Sequence, residues 1–136
     1  MNSIEYKKLE INEDQIMNLY KEDNWVEYVK NKTQLFKGLG NSLDSFGAYE
    51  NNQLVGLVRT IGDGATIVYI QDVLTLSTHR RQGIGSKLIR IILDKYKDVR
   101  QIVLMTDNDE SKRLFYENLG FQDLEKYKTL GFLILN

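Results

Sequence analysis

The feature that most constrains the fold of this chain is the stretch from Val68 to Tyr96. Val68–Leu76 is a run of mostly β-branched and large apolar residues, which predicts a buried strand. Ser77–Gly85 is a short polar connection that contains two arginines and a G-x-G. Apolar residues then recur at helical spacing, at Ile84, Leu88, Ile92 and Tyr96. The stretch therefore predicts a strand, a basic glycine turn and a helix in series.

This arrangement is suited to binding an anion. The first turn of a helix has backbone N–H groups without intrahelical partners, and the helix dipole places partial positive charge there. Gly83 and Gly85 lack Cβ atoms, so a phosphate could approach the backbone closely. Arg80, Arg81 and Lys87 add charge that could pair with phosphate oxygens.

The spacing decides between phosphate motifs. A dinucleotide fingerprint needs a third glycine three residues after Gly85, where this chain has Leu88. A P-loop needs lysine before serine or threonine, whereas here Ser86 precedes Lys87. The segment Arg80–Gly85 instead fits [QR]-x-x-G-x-[GA] and resembles motif A of the GNAT family of N-acetyltransferases, which cradles the pyrophosphate of acetyl-coenzyme A (acetyl-CoA). The alternative is a solvated basic turn whose glycines serve only geometry.

Periodicity and turn residues predict the other elements. A helix capped by Asn12 or Asp14 runs to about Lys21, and a second helical pattern starts at Asn24 and ends near Gly38. Asp109 lies in a segment that caps a later helix. The predicted strands are Ser3–Ile11, Ser45–Tyr49, Leu54–Ile61, Gln101–Met105, Phe121–Lys128 and Gly131–Leu135, and the later helix is Glu110–Leu119.

This element order is similar to the GNAT fold across nearly the whole chain. Gly56–Arg59, after an N-N-Q turn, and Leu114–Phe121 (LFYENLGF) are also similar to family motifs. The resemblance implies one α/β domain over residues 1–136. Its mixed central sheet would have six to seven strands, flanked by about four helices and splayed between the two strands that hold the cofactor.

The resemblance also implies how acetyl-CoA is bound, with coenzyme A (CoA) as the product. The backbone of Leu74, Thr75 and Leu76 would hydrogen-bond the pantetheine arm and the thioester carbonyl. The alternative is ordinary core strand, and both can hold because the side chains pack while the backbone binds. The Arg80 side chain would be a structural or phosphate clamp. The pyrophosphate would be held by main-chain donors of Arg81, Gln82, Gly83, Ile84, Gly85 and Ser86.

Two side chains are candidates for chemistry. Tyr116 matches a family tyrosine that protonates the leaving thiolate; the alternative is a tyrosine packed on the sheet. Asp72 interrupts the apolar strand. It could act through water, pair with a substrate ammonium, or form a salt bridge with Arg59 or another cation. His79 is expected in a loop on the cofactor side rather than as a base.

The expected activity is acetyl transfer from acetyl-CoA to a small-molecule primary amine by direct attack in a ternary complex. Because the chain has no cysteine, a cysteine-bound acetyl-enzyme is impossible. The alternatives are a non-catalytic acyl-CoA-binding or sensing domain and a protein N-terminal acetyltransferase. Trp25, Tyr28, Phe36 and Leu39 could line the acceptor site or simply pack a helix on the sheet.

Composition excludes several other classes of function. With no cysteine and a single histidine, no metal site is expected. The net charge of −1 and scattered basic residues do not suggest nucleic-acid binding. No signal-like or membrane-spanning apolar run is present, so a cytoplasmic location without membrane association is expected. A homodimer formed through the last strands is a further expectation.

Overall fold

The computed structural model describes residues 3–22 and 26–136, which form five strands, five α-helices and two short 3-10 helices, at Ser77–His79 and Leu124–Tyr127. The strands are β1 (Glu5–Lys8), β2 (Asp44–Glu50), β3 (Gln53–Gly62), β4 (Ile67–Thr75) and β5 (Gln101–Leu104). The α-helices are α1 (Glu13–Glu22), α2 (Val26–Lys30), α3 (Lys32–Gly40), α4 (Ile84–Lys95) and α5 (Glu110–Asn118). None of the helices in these described ranges is long and apolar enough to cross a membrane.

The chain divides into two compact units, Met1–Met105 and Thr106–Asn136. The first unit contains all five strands and helices α1 to α4. The second contains α5 and the C-terminal segment. The single domain expected from the sequence stays a prediction.

The five strands form one mixed sheet in the order β1-β2-β3-β4-β5. The first four pair antiparallel, and β5 pairs parallel to β4. Asn51 and Asn52 join β2 to β3 with φ angles of 51° and 65°. Asparagine tolerates this left-handed region better than most residues, which is why this pair forms a tight hairpin turn.

Helices cover both faces of the centre of the sheet. On β3, a Cβ atom added to Gly56 would lie 2.9 Å from Ile84 Cγ2 of α4, so the glycine allows this helix to approach closely. Arg59 lies three residues further along, and its side chain contacts the same carboxylate as Tyr20 of α1. Because side chains alternate across a strand, α4 and α1 pack on opposite faces. This explains why β3 is buried from Leu54 to Thr60.

The last two predicted strands are wrong, which leaves five strands rather than six to seven. Within Phe121–Lys128, the Asp123 side chain accepts a hydrogen bond from the Glu125 N–H at 2.9 Å and starts a 3-10 helix. The apolar segment Gly131–Leu135 has strand-like composition, but no strand of the described part of the chain pairs with it. A strand needs a neighbour to satisfy its backbone, and composition alone does not supply one.

The second predicted helix is divided into α2 and α3, and its predicted start at Asn24 lies outside the described residues. Asn31 interrupts the pattern because its side-chain oxygen accepts a hydrogen bond from the Gln34 N–H at 3.2 Å and caps α3. Similarly, Asn12 rather than Asp14 caps α1, by accepting from the Gln15 N–H at 3.1 Å.

A buried carboxylate, Asp44, ties the start of β2 to α4. It is 4% exposed and accepts hydrogen bonds from Lys8 Nζ at 2.9 Å, from the Tyr96 hydroxyl at 2.8 Å and from Lys95. Burial alone would raise the pKa of Asp44, but these hydrogen bonds outweigh it and hold the pKa below its usual range. Burial, reinforced by the hydrogen bond to this carboxylate, raises the pKa of Tyr96 to about 12.

We expect Asp44→Asn to lower the free energy of unfolding at neutral pH by about 2 kcal/mol, because charge-assisted hydrogen bonds are lost. Since the folded-state pKa of Asp44 is depressed, its contribution is fully present above the unfolded value of about 3.9 and is lost as the pH falls through the folded value. Urea denaturation at several pH values should show the difference between wild type and variant shrinking below about pH 4. A constant difference would contradict this account.

Candidate active site

The N-terminus of α4 lacks a capping side chain. Gly83 is its N-cap residue, with φ at +80°, and none of the described side chains hydrogen-bonds the first turn. The first backbone bond within the helix runs from the Lys87 N–H to the Gly83 carbonyl at 3.0 Å. In contrast, side chains cap α1, α3 and α5 of the described chain, through Asn12, Asn31 and Asp109. The donors that precede Lys87 are therefore available to an anion.

The surroundings of this turn also fit an anionic group. A Cβ atom added to Gly83 would meet nothing within 4 Å, so the space above the backbone is open. Arg80 and Arg81 are exposed there, and Arg81 adopts a left-handed φ of 63°. Ile84 is buried and anchors the start of the helix. The predicted segment is thus brought together as one basic turn, comprising Arg80, Arg81, Gln82, Gly83, Ile84, Gly85 and Ser86.

A second feature is an open edge on β4. Strand β5 pairs with β4 only from Ile67↔Gln101 to Ile70↔Leu104. Gln71–Thr75 continues beside β3, but no described strand pairs with it on the other side. The backbone of this half of β4 could therefore bind an extended ligand arm as an added strand. The open edge and the basic turn are close in sequence, because only the 3-10 helix Ser77–His79 lies between β4 and the turn.

The direction of the backbone N–H and C=O groups decides which residues of β4 present them at the open edge. In an antiparallel pair, the N–H and C=O of one residue point to the same neighbour, and successive residues alternate. The Leu76 N–H donates to the Val55 carbonyl of β3 at 2.9 Å, so Leu74, two residues earlier, also points to β3. Thr75 and Val73 therefore face the open edge, in agreement with the Thr75 carbonyl accepting from Arg80 Nε at 3.4 Å.

This geometry refines the predicted backbone donors. Of the three residues expected from the sequence, Leu74 directs its N–H and C=O to β3, whereas Leu76 donates its N–H to β3 and accepts from the His79 N–H. Only Thr75 faces the open edge. Val73 was missed. The period of two along a strand was the signal that could have found it, because residues two apart share an edge.

A β-bulge shapes the middle of β4. Arg59 pairs with Asp72 and Thr60 with Ile70, so Gln71 is an extra residue on β4. The Gln71 amide donates to the Tyr28 hydroxyl at 3.1 Å, while Asp72 Oδ2 accepts from the Tyr20 hydroxyl at 2.7 Å.

The bulge thereby turns two consecutive side chains of β4 to the same pair of tyrosines. Tyr20 and Tyr28 themselves pack edge to face, with ring centroids 5.4 Å apart. Tyr28 therefore belongs to the packing between helix and sheet.

Asp72 forms a buried ion pair. It is 1% exposed, and its Oδ2 accepts from Arg59 Nε at 2.8 Å as well as from Tyr20. Of the alternatives left open by the sequence, the salt bridge with Arg59 is the one present. Burial, reinforced by Asp72, raises the pKa of Tyr20, so its hydroxyl stays a proton donor to the carboxylate. The second carboxylate oxygen, Oδ1, is buried and has no hydrogen-bond partner among the described residues.

We expect Asp72→Asn to lower the free energy of unfolding by about 3–5 kcal/mol, because it leaves Arg59 buried without its counter-charge. Tyr20→Phe is the matched control: it removes one hydrogen bond to the same oxygen but keeps the ion pair, and should cost about 1 kcal/mol. Urea denaturation monitored by circular dichroism measures both. Equal losses for the two variants would contradict the importance of the ion pair.

Tyr116 lies on α5, in the second unit of the chain. The helix ends in a Schellman motif: the Phe121 N–H donates to the Tyr116 carbonyl at 3.1 Å and the Gly120 N–H to the Glu117 carbonyl at 3.0 Å. Gly120 supplies the required positive φ, at 101°. The motif brings the Phe121 ring to 5.8 Å from that of Tyr116, and Phe115 packs at 5.0 Å. This helix end gives a structural reason for the glycine and the aromatic residues of the sequence FYENLGF.

The Tyr116 hydroxyl has the properties of a proton donor at neutral pH. Burial raises its pKa above the ordinary value of 10.0. The described residues provide it with no hydrogen bond, which leaves the hydroxyl available to a ligand.

Other sequence candidates have structural partners. His79 Nε2 lies 3.1 Å from Glu50 Oε1, and Nδ1 lies 2.7 Å from the Thr78 hydroxyl. Asp109 caps α5 by accepting from the Ser111 and Lys112 N–H groups, as predicted.

The proposed acceptor wall is only partly described. Leu39 is buried and Phe36 half-buried, whereas Trp25 lies outside the described residues. No three metal-ligating side chains of the described ranges come together as a metal site would require.

Comparison with known proteins identifies the family. The family model described as "Acetyltransferase (GNAT) domain" matches residues 41–123, which include β2 to β5, the basic turn and α5. A GNAT-family acetyltransferase from Streptococcus pneumoniae is 31% identical, with a TM-score of 0.86 over 100% of this chain and 98% of that one. The mixed sheet with helices on both faces is therefore the GNAT fold.

Two further likenesses are weaker. N-alpha-acetyltransferase 30 of Dictyostelium discoideum is 33% identical over 95 residues, which cover 63% of this chain and 51% of that protein. The chain spans about half the length of the curated relatives it matches. Aminoglycoside N-acetyltransferase AAC(6')-Iy, solved in complex with CoA, shares the fold, with 14% identity and a TM-score of 0.70 over 100% of this chain and 95% of that one. Given the family match across β2 to α5, this chain belongs to the GNAT family of acetyltransferases.

Proposed function

We propose that this protein transfers an acetyl group from acetyl-CoA to a primary amine by direct attack in a ternary complex. The observation that carries the proposal is the uncapped, glycine-lined N-terminus of α4 immediately after the open half of β4. Family membership and a CoA complex of a protein with the same fold support it. The amine stays unspecified.

The residues present fit CoA at both ends of this surface. The pyrophosphate would lie at the first turn of α4, where donors from Gly83 to Ser86 precede the first intrahelical bond, and the exposed Arg80 and Arg81 would add charge. The pantetheine arm would pair with the Thr75 and Val73 backbone along the open edge. Bound acetyl-CoA would supply the thioester, whose sulfur leaves as the thiolate of CoA when the amine attacks the carbonyl carbon.

An N–H at the open edge would also serve the chemistry. When the amine attacks, negative charge develops on the thioester oxygen. A fixed backbone donor at that position stabilises the charge without reorganisation, because the strand already holds it in place. We assign this role to the Val73 or Thr75 N–H, the two that face away from β3.

Tyr116 would protonate the leaving thiolate. A phenol that is still protonated at neutral pH can donate its proton to the sulfur as the bond between carbon and sulfur breaks. Burial raises the pKa of Tyr116 and so keeps it protonated at neutral pH, and its hydroxyl has no hydrogen-bond partner among the described residues.

Asp72 acts differently in this proposal. Its buried ion pair with Arg59 favours a positioning role over a role as general base, because the pair holds the β4 bulge next to the open edge.

A cofactor-binding prediction follows from Gly83. Because Gly83 has φ at +80°, Gly83→Ala should cost about 1 kcal/mol of folding free energy and also place a Cβ atom where the pyrophosphate approaches. Gly64→Ala is the matched control, since Gly64 has φ at +73° in the turn before β4 and would meet only ordinary contacts. Calorimetry should show CoA binding weakened about tenfold or more, ~1.4 kcal/mol, in Gly83→Ala alone. Equal weakening in both variants would overturn the placement of the pyrophosphate.

The activity itself is tested by thiol release from acetyl-CoA with a panel of amines, including polyamines, aminoglycosides, amino acids, arylalkylamines and N-terminal peptides. We expect one class to stimulate release and Tyr116→Phe to lower kcat by about 100-fold with little change in CoA affinity. The wild-type kcat should fall at a pH above 10 as Tyr116 loses its proton, and this decline should be absent in the variant. Unchanged turnover in the variant would remove the acid role.

The same panel separates the alternative functions. Stimulation by N-terminal peptides alone would favour protein N-terminal acetylation, which the likeness to N-alpha-acetyltransferase 30 supports. Tight CoA binding with no stimulation by any amine would favour a non-catalytic acyl-CoA-binding domain. Either outcome would leave the proposed cofactor site unchanged and alter only the activity that is assigned to the protein.

A further inference from the structure

Gln71, at the open edge of β4, has a side-chain acceptor that its structural contacts do not use. It is the extra residue of the β-bulge and is half-buried. Its Nε2 donates to the Tyr28 hydroxyl at 3.1 Å, which is the hydrogen bond that the described residues give this side chain. Because an amide carries a separate acceptor, this contact leaves Gln71 Oε1 available to a ligand.

Gln71 also lies at the end of the open edge where the thioester would react. In the proposed cofactor site the pyrophosphate lies beyond Thr75, and the pantetheine arm runs back along Thr75 and Val73. The next position in the same direction is Gln71, about 7 Å from Val73 along the strand. Strand β5 closes the edge just beyond it, at Ile70. The acetyl group and the attacking amine would therefore meet at Gln71.

The charges around Gln71 cancel. The titratable groups of the helices and strands packed here are Tyr20 of α1, Tyr28 of α2, Arg59 of β3, and Tyr69 and Asp72 of β4, whereas β5 carries none. Asp72 is neutralised by Arg59, its partner in the buried ion pair. Burial raises the pKa of Tyr20 and of Tyr69, so both phenols stay protonated. The acceptor nitrogen would therefore meet a neutral amide.

We propose that Gln71 Oε1 binds the acceptor amine in its neutral form, so that the acceptor is a weakly basic primary amine, such as an α-amino group, rather than a strongly basic alkylamine. This assignment rests on the acetyl transfer proposed above and names its acceptor class. An amide oxygen orients an N–H of a neutral amine, whereas a carboxylate would favour the ammonium ion. At pH 7.4 roughly a quarter of an α-amino group with a pKa near 7.8 is neutral, against about 0.1% of an ε-amino group with a pKa near 10.4.

The proton balance of the transfer agrees with a neutral acceptor. The amine nitrogen attacks the carbonyl carbon, a C–N bond forms, and the C–S bond breaks with its electron pair leaving on the sulfur. Of the two protons on the nitrogen, one stays on the product amide, and the loss of the other balances the proton that the thiolate gains. An ammonium acceptor would release one proton more, and the carboxylate next to Gln71 is already paired with Arg59.

The first test compares two isomers as acceptors for thiol release from acetyl-CoA. Nε-acetyl-lysinamide presents an α-amino group, and Nα-acetyl-lysinamide presents an ε-amino group. We expect kcat/KM at pH 7.4 to be about tenfold or more higher for the α-amine, because much more of it is neutral. With rising pH, the α-amine value should level off above about pH 8, whereas the ε-amine value should still rise at about pH 9.5.

The same profile is measured with the most active amine of the panel. One midpoint shared by amines of different pKa would show that a base of the enzyme titrates, and would overturn the proposal. Thiol release driven best by strongly basic amines would also overturn it while leaving acetyl transfer established. Thiol release with no amine at all would instead mean that the acetyl transfer itself is wrong.

The second test changes the charge at Gln71. Gln71→Glu keeps the shape of the side chain but adds a carboxylate, and should lower the preference for the α-amine over the ε-amine about tenfold. Gln101→Glu is the matched control, because Gln101 is exposed at the end of β5 remote from the opening and should keep the wild-type preference. An unchanged preference in Gln71→Glu would contradict the role of this residue.

Two further variants separate binding of the amine from its deprotonation. Tyr28→Phe removes the contact that orients the Gln71 amide, so the KM for the amine should rise about tenfold with the CoA affinity unchanged. An unchanged KM would count against this positioning role. Asp23→Asn, at a position outside the described residues, should keep the wild-type pH profile. A changed profile would identify Asp23 as a base and overturn the proposal.

Discussion

The candidate site depends on a mismatch in length between two neighbouring strands. Strand β5 pairs with β4 only as far as Ile70, while β4 continues to Thr75. The second half of β4 thus keeps β3 on one side and presents unpaired backbone groups on the other. Since unpaired backbone groups need partners, this opening is where the pantetheine arm would pair in the proposed function. The basic turn and α4 lie immediately after it along the chain, so one continuous segment provides both surfaces of the proposed cofactor site.

Buried charges stabilise this opening. Asp72 is held by Arg59 and Tyr20 next to the bulge, and Asp44 is held by Lys8, Lys95 and Tyr96 where β2 meets α4. Each carboxylate joins elements distant in sequence. A bulge inserts one extra residue into a strand and locally disrupts the ladder of backbone hydrogen bonds, and at this bulge the Asp72 side chain adds contacts to Arg59 and Tyr20. The polar clusters therefore contribute to the positions of particular residues as well as to overall stability.

Local chemistry accounts for the features that the sequence predicted well. The Asn51-Asn52 turn, the Asp109 cap and the glycine-rich start of α4 each depend on a few consecutive residues. Pairing accounts for the errors. Gly131–Leu135 resembles a strand in composition, yet in the described chain it has no partner, and Asn31 divides a helical pattern that looked continuous. The same dependence on pairing explains why Val73 was not predicted, because the edge that its backbone faces follows from the register of β4 with β3.

By itself, the sequence determined the strand, turn and helix from Val68 to Tyr96, because glycines, caps and apolar periodicity act over a few residues. It also carried the motifs by which the GNAT family is identified. Only the tertiary structure decided that β5 ends at Leu104 and that Asp72, next to the bulge, forms a buried ion pair with Arg59. It also decided that Thr75 rather than Leu74 faces the open edge. These outcomes depend on register and on contacts between distant elements, which no short stretch of sequence specifies.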